Sequence, residues 1–574
     1  MIPDVRRVEH LGEMLRDALL TYNSNVAIFE ADRHREVRRL SYAELLEEVE
    51  TVAGYLQTEL AAGERCAILM ANQSRWVIGA MAGLFAGAVL VPLDYKLPVA
   101  DLLTLLDRAR PRVLVIDWPL YRDLQRGGLG DLAAQPSRIL VAGVPEGAAA
   151  ELSGPAVVFP DRDPGEAHRP CSLRPRSRQD VAAIVFSSGT GGVVKGCMLT
   201  HDSYLAQVQA LIPQVPMEET DRYFSVLPTN HAIDFLCSVL MPYLYGAAVV
   251  YQRTLRAAYL ASTMAAYEVT HTALVPRILK TMREEIEARI EEQAEWKRTL
   301  IRGLIDLNDL ATLKTPNPRL SRTLLYPILA KFGGRLRMIF AGGAYVDPEL
   351  ATYFYRIGLP VSIGYGLTEA CAVLTVNDLS PFRANTVGRP VAGVAIEVRQ
   401  PDSTGVGEVY ARGRTIMAGY VDAPELTAEV LQDGWLRTGD LGYIDAAGHL
   451  QLRGRAKNMV VTEGGKNVYP EEIEAYLDGV PCEELCVLAE SYVWPSTGLS
   501  GSRLTAVVRP RTGQTQEEIL DALRTRNQAI QDYKRLGSFV VCTQEFPVTA
   551  SMKVKRAALA EQVRTLGLPR NKLT

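Results

Sequence analysis

Val181-Ala-Ala-Ile-Val-Phe-Ser-Ser-Gly-Thr-Gly-Gly-Val-Val-Lys-Gly196 joins an apolar run to a cluster of hydroxyls, glycines and one lysine. The run, Val181 to Phe186, reads as a buried strand, of the kind a parallel sheet supplies. The residues after it suit an anion: glycines let backbone N–H groups turn inward, Ser187, Ser188 and Thr190 add donors, and Lys195 brings a positive charge. A nucleotide polyphosphate is the expected occupant. A Walker-type loop is excluded, because it needs glycine before the lysine and Ser or Thr after it, whereas Val194 and Gly196 flank Lys195. Taken alone, the stretch also reads as a glycine-rich surface turn, so its neighbours must decide.

Outward from this stretch, helical patterns alternate with short β-branched runs. Tyr42 to Leu56 and Trp76 to Ala86 have helical periodicity, and around them stand CAILMAN (66–72), AVLVPLD (88–94) and RVLVIDW (112–118). The series continues with RYFSVLP (222–228), AAVVYQR (247–253), HTALVP (271–276), RLRMIFAGG (335–343) and VSIGYG (361–366). Such alternation predicts βαβ units and a parallel sheet. Ligands of open α/β sheets gather at the carboxyl ends of the strands, which places SSGTGG, PTNH, AGGA and YGLTE at one crevice. From Val387 the texture changes to Gly- and Pro-punctuated strands, GVAIEV, GEVYARG and HLQLRGR, expected to form a small antiparallel layer. Beyond Arg455, the runs CVLAE, LTAVVR and FVVC with a helix near Glu517 to Ile530 predict a compact α+β domain of about a hundred residues. The fold class is therefore α/β: a large N-terminal domain of βαβ-type sheets plus a small β-layer, followed by a small α+β C-terminal domain, with a boundary expected between residues 456 and 457.

Bulk composition narrows the function classes. The 574 residues exceed what one core organises, 48% are hydrophobic and 22% charged, and the formal net charge is −4. That balance belongs to a globular protein and offers no basic excess for nucleic acid. The start, MIPDVRRVEHLGEML, lacks the pattern of a secretory leader, so a cytoplasmic location is expected. The best apolar stretch, Trp76 to Val91, is short and glycine-interrupted, which leaves peripheral contact as the form of membrane association the sequence allows. The eight cysteines are scattered and read as buried reduced thiols. Between Ile278 and Arg335, a charged stretch places Met282, Ile286 and Ile290 at helical spacing. It is expected to form a helical hairpin packed on the sheet, the alternatives being a membrane-facing or acyl-tunnel role.

Together the segments resemble the adenylate-forming superfamily of acyl-CoA synthetases, luciferases and peptide-synthetase adenylation domains, most of all the bacterial fatty acyl-CoA synthetases. The resemblance covers nearly the whole chain and rests on SSGTGGVVKG, LPTNH, Gly342-Gly343-Ala344, GYGLTEA, VGRP, GEVYARG, MAGY, GWLRTGDLG, LRGRAKNMVVTEGGKNVYPEEIE and PVTASMKVKR in that order. It implies that Ser187, Ser188, Gly189, Thr190 and Lys195 hold the β- and γ-phosphates of ATP. Gly342, Gly343 and Ala344 would border the nucleotide. In GYGLTEA, Tyr365 would stack on adenine beside Gly366, Thr368 would bond the α-phosphate, and Glu369 would hold Mg²⁺, a role suited to a hard carboxylate oxygen. Asp440 and Arg455 match ribose contacts. His231 matches the histidine that borders the acyl site, a structural histidine being the other reading. Asp234 lies where acyl-CoA synthetases carry glutamate and amino-acid-activating relatives bind an amine.

Lys553 matches the late lysine that bridges carboxylate and α-phosphate, its other reading being a solvated basic tail. Gly464, Gly465 and Lys466 match the ridge along which a pantetheine arm enters. The implied reaction makes an acyl-adenylate and pyrophosphate, after which the C-terminal domain rotates about Lys457 and a thiol takes the acyl group. ATP, Mg²⁺ and CoA, or the phosphopantetheine of a carrier protein, are the implied cofactors and partners, with a medium- or long-chain fatty acid as substrate. Only eighteen residues follow Arg556, so any carrier is expected to be a separate protein. Three positions depart from the family pattern: Gly191 replaces a threonine, Val194 a proline and Met552 a glycine. They keep open a relative that binds without turnover.

Overall fold

The structure is a computed structural model that describes residues 4–161, 170–188, 194–254, 257–312, 315–461, 466–494, 503–548 and 554–573. Its contacts divide the chain into two compact units, one of residues 1–396 with 411–436 and the other of residues 397–410 with 437–574. The division falls inside the strands Val394–Arg399, Gly407–Gly413 and Trp435–Ile444, so it follows the packing of the small β-layer.

The first unit is built on two sheets, in keeping with the expected N-terminal domain of βαβ-type sheets. The nine-stranded sheet runs, edge to edge, Arg389–Pro390, Thr375–Val376, Val361–Tyr365, Met338–Ala341, His271–Leu274, Arg222–Ser225, Ala248–Gln252, Val26–Asp32 and Arg35–Ser41. The six strands from Val361–Tyr365 to Val26–Asp32 are mutually parallel, with registers such as Ala341↔Ile363 and Tyr223↔His271. After Arg222–Ser225, the chain places its next strand on one side and the one after on the other. Strand order reverses there, which opens a crevice at the carboxyl ends of the strands.

The eight-stranded sheet has the order Gly419–Tyr420, Val194–Thr200, Val181–Ser188, Val89–Pro92, Arg65–Leu69, Val113–Asp117, Arg138–Ala142 and Ala156–Val158. Its interior strands, RCAIL, VLVP and VLVID, are buried nearly throughout because helices cover both faces. The helix Tyr42–Glu59 starts on a capping box between Ser41 and Glu44 and buries Leu45, Val49, Val52 and Leu56 at helical spacing. The strand–glycine–lysine stretch is a hairpin in this sheet: Val181–Ser188 pairs antiparallel with Val194–Thr200, and Ser187 stands opposite Lys195.

The expected helical hairpin is present as Pro276–Glu291 and Glu295–Thr312, and Ile286 and Ile290 enter the core of the nine-stranded sheet with Met282 packed against it. In the second unit, a four-stranded sheet Glu484–Ala489, Leu504–Arg509, Leu536–Val541, Asn571–Lys572 packs with the helices Pro470–Tyr476 and Gln516–Ala529 around Ile473, Val487, Val508, Ile519 and Phe539. Beside it lies the hairpin Trp435–Ile444 with Leu450–Arg455. The expected α+β composition of this region is borne out.

Candidate active site

The strand Val361–Tyr365 delivers the chain into Gly366-Leu367 and then a single turn, Thr368–Ala370. A side chain at Gly366 is impossible without rearrangement, since a Cβ there would lie 1.9 Å from the carbonyl oxygen of Ala372. The turn ends on two left-handed residues, Cys371 (φ 55°) and Ala372 (φ 86°). Such conformations cost a non-glycine residue about 1 kcal/mol or more, and they concentrate where surrounding structure enforces a functional geometry. Here the enforcement is visible: the Met417 N–H donates to the Glu369 carbonyl at 2.8 Å, and the Val373 N–H donates to Gln207 Oε1 at 3.3 Å. The adjacent strand, Met338–Ala341, ends at Gly342-Gly343-Ala344 on the same sheet edge.

The hairpin from the other sheet meets this turn through Tyr420. Gly419–Tyr420 is itself an edge strand of that sheet, paired with Met198 and Cys197. Tyr420 Oη donates to Glu369 Oε1 at 2.9 Å, and Lys195 Nζ lies 4.8 Å from the centre of the Tyr420 ring. One tyrosine thus bonds the carboxylate and carries the ammonium on its π face. Ser187 reaches into the same hairpin, its Oγ 3.9 Å from Cys197 Sγ. Lys195, Tyr420 and Glu369 form one connected group, with Ser187 opposite Lys195 on the paired strand. Sequence reasoning quoted MAGY only as a motif and assigned Tyr420 no role; its link to Glu369 spans 51 positions and left no local signal.

Glu369 suits a magnesium ion held jointly with phosphate oxygens, because it offers a hard carboxylate in a setting with few protein ligands. No group of three or more His, Cys, Asp or Glu side chains arranged for a metal occurs among the described residues. Gly189 and Thr190 lie outside the described residues, as do Gly191, Gly464, Gly465, Met552 and Lys553. The strand pairing continues through Ser188 opposite Val194, so both ends of the glycine loop are fixed. Val194 starts the returning strand, and its carbonyl accepts from Arg108 at 3.1 Å.

At the reversal point, the chain leaves Arg222–Ser225 through Val226 to Asn230 and reaches His231, the half-buried residue before a short helix Ala232–Asp234. Asn72, at the end of CAILMAN on the other sheet, holds this loop. Its amide donates to Ser225 Oγ at 3.0 Å and to the Leu227 carbonyl at 2.6 Å, and its Oδ1 accepts from the Thr229 N–H at 3.0 Å. Beneath the loop, Asn230 and Ala232, the neighbours of His231, line an apolar cavity with Trp76, Ala183, Tyr204 and Phe235.

Asp234 is fully buried. Ser225 and Ser238 both donate to its Oδ2, at 3.0 and 2.8 Å. Burial pushes its carboxyl up to about 7 although those hydroxyls pull the other way. A single turn of π-helix, Phe235–Leu240, follows it, a feature that recurs near functional sites. The serine hydroxyls hold Asp234 in the core through its Oδ2.

In the second unit, the two residues expected at the ribose face each other across a hairpin. Asp440 and Arg455 are register partners, and their side chains pair at 2.8 Å. Asp440 is buried, its N–H donates to Thr438 Oγ1 at 3.1 Å, and Gly439 between them takes φ 72°. Lys466 is exposed, 4.3 Å from the Tyr533 ring centre. Lys457, in the turn Ala456–Asn458, has its ammonium lowered to about 8 by burial, with Arg455 and Arg556 adding repulsion. Arg556, three positions after Lys553, pairs with Glu474 at 2.7 Å and Glu471 at 3.1 Å, which ties the helix Arg556–Thr565 to Pro470–Tyr476.

The model of the AMP-binding enzyme family matches residues 16–421. The long-chain-fatty-acid–CoA ligase FadD15 of Mycobacterium bovis is 25% identical to this chain over 89% of it and 88% of its own length. The chloroplastic long-chain-fatty-acid–[acyl-carrier-protein] ligase AEE15 of Arabidopsis thaliana is also 25% identical, over 88% of this chain and 76% of its own length. Among solved structures, the anthranilate CoA ligase AuaEII in complex with anthranoyl-AMP superimposes with a TM-score of 0.75 at 21% identity, over 98% of this chain and 99% of that one. With that match spanning both sheets and every residue of the Lys195–Tyr420–Glu369 group, the chain belongs to the AMP-binding enzyme family and has the fold of the adenylate-forming enzymes.

Proposed function

We propose that the protein is an ATP-dependent acid–thiol ligase that activates a medium- or long-chain fatty acid and passes the acyl group to CoA. The observation that carries this reading is the connected group at the crevice, in which a lysine and a carboxylate from two sheets share one tyrosine. In the first step, a carboxylate oxygen of the substrate attacks the α-phosphorus of ATP. The bond to the bridging oxygen breaks, and pyrophosphate leaves with that electron pair. No protein nucleophile takes part, so the chain's work is alignment and charge compensation. Lys195, Ser187, Ser188 and Thr190 hold the leaving phosphates. Thr368 donates to the α-phosphate and Tyr365 packs against adenine. Asp440 and Arg455 are assigned to the ribose hydroxyls, and Glu369 holds Mg²⁺, which when bound spreads positive charge over the phosphate oxygens. Lys553 bridges the attacking carboxylate and the α-phosphate.

In the second step, a thiol sulfur attacks the acyl carbon and AMP departs. For this step we assign a hinge at Lys457, with residues 457–574 as the moving domain and Gly464-Gly465-Lys466 as the ridge facing the pantetheine arm. The fatty-acid preference is supported by the likeness to FadD15. A second reading, transfer to a separate acyl carrier protein, is favoured by the likeness to AEE15.

Pyrophosphate release from ATP, measured with the purified chain across fatty, aryl and amino acids, tests the first step. Turnover on fatty acids is expected, and silence across the panel would overturn the reading. Parallel assays with free CoA and a phosphopantetheinylated carrier decide the acceptor.

A further inference from the structure

The helix Glu295–Thr312 is amphipathic twice over. One face packs on the core through Ile305, Asn308 and Thr312. On the opposite side Trp296, Leu300, Leu307 and Leu310 are 65%, 54%, 49% and 67% exposed. Their spacings of four, seven and three put them on one stripe, and the position between them that completes the repeat is Gly303, where an added side chain would meet open space. An exposed apolar stripe of this length needs a partner.

Charge around the stripe indicates which. On one flank three of the acids are already matched: Asp306 pairs with Arg356, Asp309 with Arg356 at 3.2 Å, and Glu291 with Arg298 at 2.8 Å and with Arg302, while Glu295 at the helix start is exposed. The other flank meets the helix Pro318–Leu324 through the Ser321 hydroxyl, which donates to Asn308 Oδ1 at 2.8 Å. That segment is basic: residues 315–346 contain five Lys or Arg and no Asp or Glu, although Arg335 and Arg337 already pair with Glu268 and Asp221. Arg319, Arg322 and Lys331 in it are exposed, as is the ring of Tyr326 at 59%, and Lys297 adds a further ammonium beside Trp296. Leucines on the outer face, aromatic rings beside them and an uncancelled basic flank match an anionic phospholipid surface.

We infer that the stripe of Glu295–Thr312, with the basic Pro318–Leu324 segment beside it, docks this chain in the interface of an anionic bilayer. The helix lies in the plane of the surface, its four apolar side chains enter the headgroup–acyl boundary, and the arginines meet lipid phosphates. No helix is long and apolar enough to cross a membrane among the described residues, so this is surface binding. The inference stands apart from the choice of acid and is read without substrate.

The test is co-sedimentation of the full chain with vesicles of phosphatidylcholine alone and with 30% phosphatidylglycerol, at low and high salt, beside light scattering of the free protein. The wild type is expected on the anionic vesicles, with binding that weakens as salt rises. Leu300→Gln/Leu307→Gln/Leu310→Gln is expected to lower the partition at least tenfold. Arg319→Gln/Arg322→Gln is expected to lower it about fivefold per charge on anionic vesicles only. Pyrophosphate release on a short, soluble acid should stay within twofold for both variants, which separates this result from failure of the enzymatic reading. Equal partition of wild type and the leucine variant would overturn the inference. So would absence of vesicle binding together with a dimer that the leucine variant dissolves, which would assign the stripe to a second copy of the chain.

Discussion

Asp234→Asn turns the buried carboxyl into a pH-dependent difference in stability. Burial raises the group from the 3.8 of a free aspartate to about 7, with Ser225 and Ser238 donating to one oxygen and the hydroxyls of Thr229 and Tyr223 facing the carboxyl as well. Between those two values the folded chain holds a proton that the unfolded chain has released, so stability falls as pH rises from 4 towards 7 and then levels off. The full shift corresponds to about 4 kcal/mol, and the part arising between pH 5 and pH 8 to about 3 kcal/mol. Asparagine keeps the shape and still accepts from both serines, while the pH-dependent contribution disappears. The variant should therefore gain on the wild type by about 3 kcal/mol over that interval. For a unit of about 420 residues this is a growing melting-temperature difference of roughly 3 °C. Thermal unfolding of both proteins in matched buffers from pH 5 to pH 8.5 reads it directly. A difference that stays constant with pH, or a variant that loses ground as pH rises, would refute the assignment of Asp234 as a carboxyl held neutral by burial.

Tyr420→Phe removes the hydrogen bond to Glu369 and keeps the ring beneath Lys195. Loss of one bond to a carboxylate, worth about 1.5–3 kcal/mol, predicts a 10- to 100-fold slower pyrophosphate release, and a change under twofold would separate Tyr420 from the chemistry. Gly366→Ala, which drives a Cβ into the Ala372 carbonyl, should leave the chain insoluble or markedly less stable, whereas Gly303→Ala in open space on a helix should be neutral or gain up to about 1 kcal/mol, both read by melting temperature. Lys553→Ala is expected to abolish adenylation and largely spare thioester formation from supplied acyl-adenylate; equal loss of both steps would contradict the division of labour between the half-reactions.

Local patterns carried most of the fold. The apolar runs at 66–72, 88–94, 112–118, 222–228, 247–253 and 361–366 each became a strand, and the period of Tyr42 to Leu56 became a capped helix, because burial and periodicity are properties of short segments. What the patterns did not reveal is membership. Strands of both sheets carry the same Val, Ile and Leu composition, and nothing within a run of five residues states which neighbour it pairs with. The strand ends were therefore expected at one crevice, with no division of the strands between the two sheets. The short hairpin partners Gly419–Tyr420 and Thr375–Val376 were missed for the same reason, each being only two residues long.

The site divides along the same line. Thr368, Glu369, His231, Lys195 and Asp440 could be singled out as candidates because a motif names a residue whatever it touches. Tyr420 and Asn72 were not, since their importance lies wholly in contacts across the fold. Asn72 shows the physical reason. A buried amide whose two donors and carbonyl oxygen are all engaged is costly to misplace, because any shift strands a donor or acceptor away from water. Three bonds from this one side chain fasten the exit of Arg222–Ser225 to the end of a strand in the other sheet. The loop that carries His231 thus takes its position from both sheets at once. The reversal of strand order opens the crevice, and the polar groups that cross it hold its two walls in register, so the residues fixing the geometry are those no local pattern distinguishes from ordinary polar residues at strand ends.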